Sequence, residues 1–263
     1  VRLASDAIGY GDALVVDGWT PETLEQAWLI ICTLAESSIG FTRDDAAQLF
    51  MGSHRAAPHA VTALMAALET ASGMLSLDAP VEFPLTGLVE TGDTSAVYES
   101  LELLRFGQWE VVRLNLEGNV PKDLAMIERV RSAFGGRVRL RLGGVQAYAP
   151  EDAVKLVTAL DPKCIDWLDQ PCVAGDWDAA SAVRNAARIP LAMSGFVFDD
   201  DDIGRAVEAA DIVGFGFAQM GGRDALRYAI SIADAQGLRC FLGGGLQTDL
   251  TTLQEVLAVP GAL

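Results

Sequence analysis

Seven short apolar runs, each followed by an amphipathic stretch with helical spacing, dominate the chain from about residue 81 onward. The runs cover 81–88, 110–116, 138–142, 165–168, 189–193, 211–217 and 238–242. Helical spacing fills the gaps at 96–104, 121–134, 149–160, 176–187, 199–210 and 224–236, and a last helix is predicted over 248–259. An apolar run that repeats at this interval with a helix in each gap cannot form hairpins. It forms parallel strands joined by crossover helices. Seven such units in succession predict a (β/α) barrel rather than an open sheet, although seven strands do not close the usual eight-stranded barrel. An eighth strand is expected after residue 263, where the chain as given stops, and the first strand of the N-terminal unit is expected to begin ahead of Val1.

Residues 1–80 break this beat. Arg2–Ser5 and Ile8–Val16 read as an alternating hairpin, and helices follow at 21–35, 43–49 and 58–72. The last is rich in Ala, Leu and Met, the composition of a buried helix. The chain therefore divides into a small α+β cap over 1–80 and a barrel over 81–263. Helix-start chemistry supports the phasing: Asn119-Val-Pro121 and Pro150-Glu-Asp152 put Pro or acids in a first turn. The four aspartates Asp199–Asp202 read the same way, as partners of a helix dipole rather than as a metal site.

Charge removes several classes of function. The chain has 36 acidic against 19 basic residues, a formal net charge of −17, so it lacks the basic stripe that nucleic acid or an anionic membrane needs. No run of eighteen apolar residues predicts a membrane span, and the opening VRLASD has no signal-peptide pattern. Cys32, Cys164, Cys172 and Cys240 are scattered without metal spacing, which suits a reduced, cytoplasmic setting. Cys164 and Cys172 flank the fourth strand and are expected to be small core residues. His54 and His59, the only histidines, have no third ligand nearby and are expected as solvated loop residues. Trp109, Trp167 and Trp177 read as packing.

Five short motifs stand in order along this framework: Gly9-Tyr-Gly-Asp-Ala13, Leu140-Arg-Leu-Gly-Gly-Val-Gln-Ala-Tyr148, Leu168-Asp-Gln-Pro171, Pro190-Leu-Ala-Met-Ser-Gly195 and Gly221-Gly222. In sequence and order they resemble the enolase superfamily, in its muconate-lactonising, o-succinylbenzoate synthase and mandelate racemase-like branches. The resemblance implies an enolase-type (β/α)7β barrel with an α+β capping domain, and homo-oligomers are common in such families. It also implies three carboxylates at the ends of the third, fourth and fifth strands holding one Mg²⁺, which stabilises the enediolate left when a base takes the proton beside a substrate carboxylate.

The departures from that pattern fall on the chemistry. The third-strand Asp position is Gly143, and the Asn two residues later is Val145. The fourth-strand Glu position is Asp169, the only metal carboxylate left, and the fifth-strand Asp-Glu pair is Ser194-Gly195. The second-strand Lys-x-Lys becomes Arg113-Leu-Asn115, the sixth-strand Lys falls at Gly216, and the seventh-strand acid of the lactonising branch is Gln247. Lys122, Lys155 and Lys163, the only lysines, lie on helices or connections, and Arg stays protonated at working pH. The expectation is a divergent member that has lost Mg²⁺-dependent proton abstraction, has no cofactor, and keeps a small-carboxylate pocket lined by Arg113, Asn115, Asp169, Ser194 and Gln247. Two alternatives stand beside it. One is an active cycloisomerase, o-succinylbenzoate synthase or racemase with a rearranged site. The other is a metal-free barrel that binds an anion or phosphate with Arg113 and the glycine turns Gly221-Gly222 and Gly243–Gly245.

Overall fold

The computed structural model describes residues 1–73, 85–89, 94–107, 109–243 and 247–259. The seven apolar runs become seven parallel strands in one curled sheet: β1 (Gly87–Val89), β2 (Val111–Asn115), β3 (Arg139–Gly143), β4 (Ile165–Asp169), β5 (Leu191–Ser194), β6 (Ile212–Phe215) and β7 (Arg239–Leu242). They are ordered in space as they are in sequence, with β1 and β7 at the two edges. Between them run α4 (Thr94–Arg105), α5 (Val120–Phe134), α6 (Pro150–Ala159), α7 (Trp177–Ala186), α8 (Asp200–Ala209) and α9 (Arg223–Ala235), and α10 (Asp249–Ala258) follows β7. Alternation along each strand sends one set of side chains outward against the helices. Val112, Leu114, Leu140, Leu142, Leu156, Leu168 and Leu191 form that layer, all nearly inaccessible.

Helix starts follow the sequence chemistry. Asn119 Oδ1 accepts from the Lys122 N–H at 3.2 Å and caps α5. Asp199 caps α8 by accepting from the Asp202 N–H at 3.0 Å, with the next three aspartates in the first turn.

The N-terminal unit consists of α1 (Leu24–Ser37), α2 (Arg43–Met51) and α3 (Pro58–Ala71). The expected hairpin is present only as a short one. Val1 and Gly9 exchange backbone hydrogen bonds at 3.0 and 2.9 Å, the Leu3 N–H donates to the Ala7 carbonyl at 2.9 Å, and Arg2 bridges Ile8 antiparallel; among the described residues the pairing does not continue over 10–16. The reason is packing: a Cβ on Gly9 would lie 2.0 Å from the Ala67 carbonyl oxygen and one on Gly11 would lie 2.0 Å from that of Ala63. The Gly-Tyr-Gly segment therefore lies on the backbone of α3, and past Gly9 the chain bonds to that helix, the Tyr10 N–H donating to Thr70 Oγ1 at 2.7 Å, rather than to a strand. The boundary drawn at 80/81 falls in 74–84, outside the described residues.

This unit is fastened to the strand-end side of β5, β6 and β7. His54 Nε2 meets the Gln219 carbonyl at 2.7 Å, and Thr62 Oγ1 accepts from the Gly221 N–H at 2.8 Å. Thr248 and Thr251 donate their hydroxyls to Asp12 at 2.7 and 3.0 Å. Both histidines are thus buried, not solvated. His59 stands against Glu22, whose Oε1 also accepts from the His59 and Ala60 N–H groups at 2.7 and 3.1 Å. Glu22 supplies the start of α3 with the acceptor that Ala57, at the cap position, cannot.

Candidate functional site

The site is set by strand register. Arg113 pairs with Arg141, Asn115 with Gly143, and Gly143 with Asp169, so these residues share one face of the sheet. They stand at or near the carboxyl ends of β2–β4, where barrel chemistry is built. Four of the five expected lining residues meet there. Ser194 Oγ donates to Asp169 Oδ1 and Oδ2 at 2.8 and 3.0 Å. Arg113 donates from Nη1 to Asp169 Oδ2 at 3.3 Å and from Nε to Asn115 Oδ1 at 3.0 Å. Asp169 is only 3% exposed. Burial pushes its carboxyl above the ordinary range, while Arg113 and Ser194 pull it partway back.

Gly143 is what lets this cluster close. A Cβ there would lie 2.3 Å from Asn115 Oδ1 and 2.7 Å from Arg113 Nη2. The space above residue 143 belongs to the guanidinium and the amide. Gly195 has φ +73° and open space around it. Gly216 precedes a single 3-10 turn, Phe217–Gln219.

Gln247 does not join the cluster. Its Nε2 donates to Glu255 Oε2 at 3.0 Å, and Glu255 Oε1 accepts from the Phe217 N–H at 3.3 Å. Burial raises the Glu255 pKa, opposed by the Gln247 and Phe217 donors. The sequence reading missed Glu255 because it sits on a helix rather than a strand end. The signal was present: Thr251, Gln254, Glu255 and Ala258 occupy the buried face of α10 at helical spacing, and three of the four are polar.

The glycine turn at Gly221-Gly222 is not open to an anion. Glu69, from α3, accepts from the Arg223 N–H at 2.9 Å and from the Asp224 N–H at 3.1 Å, filling the start of α9 with a carboxylate of the protein itself. Of the second turn, only Gly243 is described. Cys172 is buried as expected and its thiol is pushed up to about 11, far from a nucleophile's range. Cys164 differs from expectation: it is half-buried at φ +60° in the connection before β4.

The loops after β3 and β4 are strained. Val145, Gln146 and Gln170 have φ of +44°, +61° and +44°, held by the Gln146 N–H donating to the Gln170 carbonyl at 2.8 Å. A β-branched residue at positive φ is a rare outlier. Among the described residues no three His, Cys, Asp or Glu side chains gather as a metal site would need.

Residues 98–262 match the enolase C-terminal domain-like family. The chain belongs to that family. Among relatives of this family, an N-succinyl-L-Arg/Lys racemase of Bacillus cereus is 23% identical over 174 residues, 65% of this chain and 47% of the racemase. The chain spans under half the length of the first curated relatives it matches. The fold likeness is wider. The crystal structure of N-succinyl Arg/Lys racemase from Bacillus cereus superposes with a TM-score of 0.88 at 21% identity, over 98% of this chain and 74% of that one. A dipeptide epimerase from Cytophaga hutchinsonii, solved with Mg and the dipeptide D-Ala-L-Val, gives 0.84 at 19% identity over 100% and 76%. Epimerases, racemases and cycloisomerases recur among these relatives of the enolase-family barrel. No described helix is long and apolar enough to cross a membrane.

Proposed function

We propose that this chain is an enolase-family barrel whose mouth binds small carboxylates through Arg113, without Mg²⁺ and without α-proton abstraction. The observation that carries the proposal is the Arg113–Asp169 pair over Gly143. Mg²⁺ demands near-octahedral oxygen ligands at about 2.1 Å and sheds water reluctantly. The residues present do not fit it. Asp169 is the one carboxylate of the cluster, its oxygens already accept from Ser194 and Arg113, and a fixed positive charge occupies the neighbouring space. That guanidinium neutralises Asp169, and its unused donors suit a carboxylate, which guanidinium binds bidentately. Proton abstraction also needs a base with a pKa near neutrality. Arg113, Asn115, Gly216 and Gln247 at the four family positions supply none.

The test titrates probes drawn from the relatives, N-succinyl-L-lysine and D-Ala-L-Val, into the metal-free protein and incubates each with Mg²⁺ in deuterated water. Binding without metal, lost in Arg113→Met, together with no exchange of the α-proton, is the expected result. Metal-dependent exchange overturns it.

A second reading, an active isomerase with a rearranged site, is favoured by one observation. Glu255 brings a carboxyl of raised pKa against Gln247, the position of the family acid. Under that reading exchange occurs and Glu255→Gln abolishes it.

A further inference from the structure

Arg113, Arg141 and Trp167 stand in register on β2, β3 and β4 and face the same side of the sheet. Barrel interiors are ordinarily filled with branched apolar residues, so two neighbouring guanidiniums there call for an explanation. Arg113 is paired with Asp169 and Asn115. Arg141 is not fully satisfied: it lies over the Trp167 ring at 4.1 Å, donates from Nη1 to Thr86 Oγ1 at 3.2 Å and reaches Asp166 only at 3.5 Å. The same Asp166 carboxylate also serves Arg139 at 3.2 Å. Two cations therefore share one anion. Trp167, 7% exposed, has an indole N–H with no acceptor among the described residues, so among them this layer has more donors than acceptors.

Beside these groups lies a cavity of about 330 Å³, lined among others by Thr86, Trp109, Glu110, Val111, Arg139 and Arg141. Val111 and Arg139 are the first residues of β2 and β3, so the cavity opens at the strand starts, the end opposite Asp169 and Ser194. Its size is that of a small organic ligand. Its apolar walls are Leu85, Trp109 and Val111, its cations are Arg139 and Arg141, and its one carboxylate is the exposed Glu110.

We propose that this cavity is a second ligand site, separate from the mouth, which takes a small monocarboxylate with a flat apolar body. The carboxylate is held by Arg141, Arg139 and the Thr86 hydroxyl, and the body packs on Trp109. Asp166 is shared between the two guanidiniums and the cavity's Glu110 makes no ion pair with either among the described residues, so the ligand carboxylate is the second anion to pair with them.

The probe is benzoate, titrated calorimetrically into the full chain, with neutral benzamide as the control. Benzoate is expected to bind saturably and benzamide not to bind. Arg141→Met should weaken benzoate at least about tenfold, the loss of one charge-assisted hydrogen bond. Arg139→Gln, at a more exposed position, should weaken it less and serves as the test if Arg141→Met does not fold. Arg188→Gln, a charge change elsewhere on the surface, should leave binding intact. No saturable binding, equal binding of benzamide, or unchanged affinity in folded Arg141→Met or in Arg139→Gln overturns the proposal. A loss in Arg113→Met equal to that in Arg141→Met would place the ligand at the mouth and overturn it as well.

Discussion

Arg113 on β2 reaches Asp169 on β4 at 3.3 Å across the intervening strand, whose facing residue is Gly143. The contact exists because residue 143 has no side chain. A substitution there pushes on Asn115 Oδ1 and Arg113 Nη2, both ends of side chains that can swing aside. Its cost is therefore the loss of the ion pair rather than a backbone clash.

Gly143→Ala should destabilise the protein by about 1–3 kcal/mol, the range for overpacking a filled interior. Arg113→Met should do so too, since it leaves a buried carboxylate with only Ser194. The two losses should not add, because each removes the same contact. Urea unfolding of both single variants and the double variant checks this, and additive losses would show that Gly143 and the pair are independent.

Val145 holds φ +44° and is half exposed, so its strain is not offset by burial. Val145→Asn, a residue that tolerates this region, should stabilise by about 1 kcal/mol. That corresponds to a Tm increase of about 2–4 °C for a chain of this size, readable by calorimetry.

Glu69 makes the attachment of the N-terminal unit depend on pH. Burial raises its pKa most, Asp224 adds repulsion, and the Arg223 and Asp224 N–H groups and the Arg223 charge oppose the rise. A carboxyl whose folded pKa exceeds its unfolded value favours the folded state at low pH and loses that advantage as pH rises through the folded pKa. The stability of wild type relative to Glu69→Gln should therefore fall as pH increases from about 4.5, the ordinary glutamate value, and then level off. Denaturant midpoints of the two proteins across that window measure it, and a flat difference would contradict it.

Glu22 is the acceptor for two buried N–H groups at the start of α3. Glu22→Ala should cost about 2–4 kcal/mol by orphaning both. In the exposed capping box of α1 the Gln26 Oε1 accepts from the Thr23 N–H at 2.9 Å and Thr23 Oγ1 from the Gln26 N–H at 3.3 Å, and Gln26→Ala there should cost about 1 kcal/mol. Thermal unfolding of the two variants provides the comparison.

The barrel was legible because its signal is local. Each strand is an apolar run, and each helix carries its own start residues, as Asn119 and Asp199 do. Arg113, Asn115, Asp169 and Ser194 were legible because strand-end positions can be counted from motifs. What escaped depends on distance along the chain. His54 finds Gln219 and His59 finds Glu22 far away in sequence, so both read as solvated. The alternation at 8–16 looks like one strand, yet only its start pairs with 1–3 and the rest follows Gly9 and Gly11 onto α3, a contact no periodicity encodes. Glu255 was hidden because its partners, Gln247 and the Phe217 N–H, come together only when α10 folds against the turn after β6.

The most direct test of the central claim is calorimetric titration of the protein with Mg²⁺, repeated with Mn²⁺. Gly143 and Ser194-Gly195 in place of metal ligands, with Arg113 paired to the remaining Asp169, predict no binding heat and no rise in Tm with either ion. Saturable binding at micromolar to low-millimolar strength, lost in Asp169→Asn, would contradict the account and return this barrel to metal-assisted chemistry.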